Sequence, residues 1–132
     1  MGTWGKGSFE NDDAMDWVYA LEDSSDNSVI IEALDNTIDN KENYLEAPDC
    51  SVSLAAAEVV AALKGKPAAL LPKEVNSWII KKPAPEESLI NKAIKAVDIV
   101  ILNSELKDLW SESDEFSQWK NCLDNLKSRL KV

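Results

Sequence analysis

Apolar residues recur along this chain at the spacing of an α-helix, and no segment alternates in the manner of a half-buried strand. Ala14, Trp17, Val18 and Leu21 fall at i, i+3, i+4 and i+7, which predicts a first helix with one face in a core. Asn11 stands where it can cap that helix. Asp12 and Asp13 put negative charge in its first turn, where the helix dipole favours it. The run Glu22-Asp23-Ser24-Ser25 ends the pattern. Asp26 is then placed to cap a second helix, with Ile30, Ala33, Leu34 and Ile38 inward. Glu32, Asp35 and Asp39 point outward at i, i+3 and i+7, a single carboxylate stripe.

A third helix is expected to open at Asp49 or Ser51 and to end at Lys64, with Gly65 just past its end and Pro67 beyond. Its run LAAAEVVAAL is apolar nearly all round, the mark of a central helix whose alanines let neighbours approach closely. Pro72 suits the first position of a short fourth helix presenting Val75, Trp78 and Ile79. Lys81-Lys82-Pro83-Ala84-Pro85 reads as a stiff connector, since neither side is long enough to bury a separate core. Pro85, Glu86 and Glu87 then begin what should be the longest helix, burying Leu89, Ala93, Val97, Val100 and Ile101. Leu102, Leu106, Leu109 and Trp110 continue the pattern, so Asn103-Ser104 is a kink or a break. Asp114 is expected to cap a last helix with Phe116, Trp119, Leu123, Leu126 and Leu130 as its inner seam. Lys127, Arg129 and Lys131 sit where they complement its C-terminal dipole. The pattern predicts one all-α domain spanning residues 1–132, a bundle of five to seven helices with a glycine-containing N-terminal loop packed on it.

Composition changes the picture chiefly by exclusion. At 132 residues with 45% hydrophobic and 29% charged positions, the chain is an ordinary globular domain. It has no histidine, which removes Ser-His-Asp and Cys-His catalysis and histidine-ligated zinc. Its two cysteines, Cys50 and Cys122, form no C-x-x-C pair, and this suits a reduced intracellular setting. The start shows no apolar stretch behind a basic one, and the apolar run from Leu54 to Leu63, ten residues with Glu58 inside it, is too short to span a bilayer. A cytoplasmic protein is expected, with no membrane contact and no cofactor.

Charge is more informative. The net is −10, yet residues 1–49 hold 13 acidic side chains against two basic ones (Lys6, Lys41), a net of −11. Residues 50–132 hold 11 acidic and 12 basic, a net of +1. Such a field repels nucleic acid and attracts a basic protein. Asp26, Glu32, Asp35 and Asp39 are therefore the candidate partner-binding residues, set against the plainer reading of an acidic surface that keeps the protein soluble.

The most distinctive segment is WGKGSFENDDAMDW, Trp4 to Trp17. Gly5 and Gly7 allow a sharp turn that lays Trp4 and Phe9 against the first helix near Trp17. A phosphate loop at Gly5-Lys6-Gly7 does not fit: no strand precedes it, and two aspartates occupy the helix end an anion would need. Asp12-Asp13-Ala14-Met15-Asp16 matches the D-D-x-x-D pattern with which helical prenyl-transferring enzymes hold magnesium and pyrophosphate. Those enzymes also need a second acidic motif and a deep apolar cavity, for which this chain leaves little room. First-turn acids serving the dipole are the competing account. Glu58, alone in an apolar helix, is expected to meet a lysine at the rim of the bundle or to sit on a narrow wet edge. Trp78, Trp110 and Trp119 all fall on apolar stripes and read as core.

Trp4, Gly5, Gly7, Phe9, Asn11, Asp12, Ala14, Asp16 and Trp17 together resemble the N-terminal W-G-x-G-x-F-x-N-D-x-A-x-D-W signature of a bacterial domain of unknown function. The resemblance continues through Tyr44 to Pro67 and Ser104 to Leu126, and is thinnest from Asp23 to Asn43. Cys50 stands where the resemblance leads one to expect glycine or another small residue, which speaks against a thiol role. The resemblance implies an intracellular bacterial protein without established enzymatic activity. In character it is similar to small acidic immunity proteins, which bind a cognate toxin; nuclease toxins are basic because they must hold phosphates. The expectation is a protein-binding module that neutralises a basic toxin. The alternatives are an interaction protein of another kind, or a magnesium-dependent enzyme using Asp12, Asp13 and Asp16.

Overall fold

A computed structural model of the chain describes residues 8–69, 71–80 and 82–131. Among these there are seven α-helices and no strand: α1 (Asp12–Glu22), α2 (Ser28–Asp39), α3 (Ala47–Leu63), α4 (Lys73–Ile79), α5 (Glu87–Leu102), α6 (Glu105–Ser111) and α7 (Phe116–Lys131). α3 runs through the middle and packs on each of the other six. Cys50, Ser51 and every residue from Ser53 to Ala62 are buried on it, so its alanines face neighbours on all sides and let them come close. α2 and α5 also pack on one another, α5 packs on α7, and α1 packs on α4.

The inward stripes fall where periodicity puts them. Ala14, Trp17, Val18 and Leu21 are buried on α1; Ile30, Ala33 and Leu34 on α2; Leu89, Ala93, Val97 and Val100 on α5; Trp119, Leu123, Leu126 and Leu130 on α7. Ile38, Ile79, Ile101, Trp110 and Phe116 are half-buried and pack against the same core. Trp119 stacks on Trp110 at 6.3 Å and lies 5.9 Å from Phe116. Phe9 is buried with α1 in this core; Trp4, Gly5 and Gly7 lie outside the described residues.

The helix ends differ from expectation more than the helices do. α1 opens as predicted, with the Asn11 side chain accepting from Ala14 N at 2.8 Å. α2 begins one residue later than Asp26 suggests: Asn27 holds the cap position, and the Asp26 carboxylate reaches past it to accept from Ser28 N at 3.0 Å. α3 begins at Ala47 rather than at Asp49 or Ser51, because Pro48 tolerates the first turn, where no intrahelical donor is needed. It has no side-chain cap of its own; the Glu105 carboxylate, from α6, accepts from Ala47 N at 2.8 Å. In return the Glu105 N–H donates to Leu45 O at 2.8 Å. At its far end Gly65 takes φ 86°, and Lys66 N and Gly65 N donate back to Ala61 O and Ala62 O at 2.9 Å each. This is a Schellman turn, with glycine in the left-handed position it tolerates.

Pro72 caps α4 instead of entering it. α5, with 16 residues, is shorter than α3, with 17. The chain breaks at Asn103: Ser104, fully buried, donates to Val100 O at 2.8 Å and accepts from Lys107 N at 3.1 Å, closing α5 and opening α6 with one hydroxyl. α7 opens at Phe116, where the carbonyl of Glu115, not Asp114, accepts from Trp119 N. Of the cations at its end, Lys127 is drawn to Asp98 at 2.5 Å. The last carbonyls, of Arg129 and Leu130, are met by the Lys64 ammonium at the end of α3.

Trp17 is only 9% exposed and belongs to the same cluster as Phe9. Trp17→Ala is expected to lose about 3–5 kcal/mol of stability in urea denaturation. A loss below about 1 kcal/mol, within the range of surface substitutions, would take Trp17 out of the core.

Candidate functional site

Two features stand apart from the packing: the acidic outer surface of the N-terminal third, and a cleft between α3 and α7. Because α1 and α2 bury one stripe each, their remaining positions face outward, and those positions carry the acids. Of the 13 acidic residues before Cys50, eleven are exposed; Glu10 and Asp35 are half-buried. Asp12, Asp13 and Asp16 are all on the outer side of α1. Among the described residues no cluster of three or more carboxylates or thiols is arranged to hold a metal ion.

The four candidate partner-binding residues do not form the uniform stripe that spacing suggests. Glu32 and Asp39 are exposed. Asp35 between them makes an ion pair with Lys92 of α5 at 2.5 Å. Asp26, at the start of the helix, is exposed, and its carboxyl is held below the usual range by hydrogen bonding to Ser28, with Lys82 contributing charge. The α2 face is thus two free-standing carboxylates around a paired one. Lys92 lies 57 residues from Asp35 in the chain, so helical periodicity carries no signal of the pairing.

Glu58 meets an arginine, not a lysine. Arg129 of α7 reaches it with both terminal nitrogens, Nη1 to Oε1 at 2.8 Å and Nη2 to Oε2 at 3.2 Å. The same guanidinium donates to Asn125 Oδ1 at 2.8 Å and to Lys66 O at 3.1 Å. Side-chain exposures of 17% and 7% place the pair largely out of water, where its planar fork satisfies the carboxylate in the strongest geometry available. The pair forms part of the wall of a cleft of about 440 Å³, with Phe9, Ala68, Asn121 and Cys122 among its other walls. Glu58 also accepts from the Ser8 hydroxyl at 3.4 Å. With its donors committed to α3, α7 and the Gly65 turn, Arg129 acts as a clamp.

The chain matches, over residues 2–122, the family described as a domain of unknown function, DUF4259. It belongs to that family. No curated protein and no solved structure matches it. In this DUF4259 member the matched span contains Glu58 but stops short of Arg129, so the clamp joins a residue inside the matched span to one beyond it. No described helix is long and apolar enough to cross a membrane.

Both cysteines of the DUF4259 chain are free. Burial pushes the Cys50 thiol up to about 11, so it stays protonated and serves as a small apolar group. Cys122 is half-buried in the cleft wall. Tyr44, exposed, donates to Asp108 at 2.8 Å, and this bond, ahead of any burial, raises its hydroxyl to about 12.

Removing one partner of a buried, hydrogen-bonded ion pair leaves the other uncompensated. Arg129→Ala is expected to lose about 3–5 kcal/mol in chemical denaturation, and the double change Glu58→Met with Arg129→Met to regain most of it. Equal losses in the single and double variants would show that an uncompensated Glu58 charge is not what the single change costs.

Proposed function

We propose that this DUF4259 protein is a cytoplasmic protein-binding module that neutralises a basic, nuclease-type toxin, an immunity protein in mode of action. The observation that supports this reading is the exposure of eleven carboxylates before Cys50, in a chain whose remainder is nearly neutral. A nuclease holds phosphates with lysine and arginine, and a rigid surface of exposed carboxylates offers the same charge complement. Helices anchored on α3 present that surface without rearrangement, which keeps the entropic cost of association low. Nucleic acid and anionic membrane are disfavoured partners on the same electrostatic grounds.

Glu32 and Asp39 test the reading best, because Asp35 is engaged with Lys92 and its reversal would disturb α5. Against a basic nuclease domain that the chain binds, association should slow as salt rises, by roughly tenfold or more when the Debye length shrinks below the interface dimensions. Glu32→Lys with Asp39→Lys should weaken the complex, mainly through slower association if the pair lies at the rim. The folded protein's own stability should hardly change. Unchanged affinity and salt dependence in the double variant would return the acidic excess to a role in solubility.

Asp12, Asp13 and Asp16 carry the competing enzymatic reading. Titration calorimetry with magnesium chloride at millimolar concentration is expected to show no saturable heat. A stoichiometric isotherm abolished by Asp13→Asn would favour a metal-dependent activity.

A further inference from the structure

Between the start of α2 and the first turns of α5 lies a groove of about 380 Å³ whose walls include Ile31, Leu89, Pro83 and Ala84. It exists because the connector is non-helical from Lys82 to Glu86. Pro83 and Pro85 fix φ and withhold two N–H donors, so this stretch cannot wind onto α5 and close the gap. Leu89 is buried, but Ile31, on the neighbouring α2, remains 37% exposed. The groove leaves that aliphatic side chain open to a partner side chain inserted from solvent.

The rim supplies the charge. Glu86 lines the groove, and Glu32 follows Ile31 directly on α2. Both are exposed. Among the described residues lining it the one cation, Lys92, is held by Asp35 at 2.5 Å. With Lys92 held by Asp35, and Lys82, beside Pro83, turned to the Ser25 carbonyl and the Trp78 ring, the described lining presents Glu86 beside its apolar residues, complementary to a segment in which a large apolar residue is flanked by lysine or arginine.

We infer that this groove seats one large apolar side chain of the basic partner, inserted between Ile31 and Leu89 while its basic neighbours meet Glu32 and Glu86. The inference rests on the proposed basic partner and adds the chemistry of its contact residue. It also adds an apolar anchor to a surface that charge alone would leave unspecific, since steering sets the encounter rate more than the final register.

The test is a ¹⁵N–¹H NMR titration of the full chain with acetyl-Lys-Phe-Lys-amide, acetyl-Lys-Ala-Lys-amide and acetyl-Glu-Phe-Glu-amide. Saturable shifts are expected at the amides of Asn27 to Glu32, of Ala84 and of Glu86 to Lys92 with the first peptide. Binding of the other two should be weaker by roughly tenfold, which corresponds to losing one buried aromatic or its charge complement. Ala84→Trp, at an exposed position outside any helix, should fill the groove and abolish these shifts while leaving the remaining spectrum in place. Ile31→Ser should weaken them. Equal binding of the phenylalanine and alanine peptides, or shifts that survive Ala84→Trp, would overturn the groove. That result would leave the toxin reading to stand or fall on Glu32→Lys with Asp39→Lys. Conversely, groove binding with an unchanged toxin complex in that double reversal would remove the toxin and keep the site.

Discussion

A helix buried on every side has no outward face on which to put a polar residue, and α3 is such a helix. The rest of the structure is arranged around that constraint. Its alanines and valines need only neighbours at close range, which α1, α2 and α4 to α7 provide. Its polar members need partners. Glu58 has one in Arg129, at the point where α3 comes nearest the cleft. Ser53 and, across the bundle on α2, Thr37 keep buried hydroxyls without a partner among the described residues, each a cost on the order of 1–3 kcal/mol. The ends of α3 reach the surface, where Pro48, Asp49 and Gly65 are exposed, and are closed by hydrogen bonds as well. Glu105 satisfies an N–H at one end, and the Gly65 turn satisfies carbonyls at the other. α6 and α7 are thereby tied to the ends of α3 by hydrogen bonds as well as by packing.

What was legible in the sequence follows from which interactions are local. The stripe Ala14, Trp17, Val18 and Leu21 repeats every turn, so periodicity alone identifies the buried face of α1, and the same holds for α5 and α7. Gly65 and Pro67 mark the end of α3 because both act through their own backbone. The starts of α2, α3 and α7 were misplaced by one or a few residues for a different reason. An aspartate or serine can accept from a nearby N–H in more than one register, as Asp26 does with Ser28. The first turn of α3 is completed by Glu105, 58 residues away, and no local pattern announces that. Arg129 illustrates the limit most clearly. Its position in the last turn of α7 suggested a partner for the dipole, whereas the fold brings it to Glu58, 71 residues off.

The candidate surface was legible in the same uneven way. Charge counts locate the acidic excess before Cys50 without reference to any fold, and the helical period predicts that those acids face outward. Neither shows that Lys92 neutralises Asp35, nor that the proline-bearing connector leaves Ile31 beside an open groove. Both depend on how α5 lies against α2, and each of these helices also packs on α3. The Trp4, Gly5 and Gly7 part of the N-terminal motif lies beyond the described residues. Its other members divide by role: Phe9 and Trp17 go to the core, Asn11 to the cap, and Asp12 and Asp16 to the surface.

This division separates what folds the domain from what gives it an electrostatic character. Exposed carboxylates on α1 and α2 contribute little to stability, because water screens them and mobile side chains lose entropy when held. Folding therefore leaves their identities largely unconstrained. The positions that do set folding, on α3 and the faces turned toward it, are nearly all apolar, and their chief charged exception is closed off as a bidentate pair. Substitutions on the outer faces of α1 and α2 can thus redirect the chain's electrostatics with little change to its core. Substitutions along α3 have no such freedom. A binding surface built on those terms keeps its scaffold while its charge pattern changes, which is the physical requirement for matching one partner rather than another.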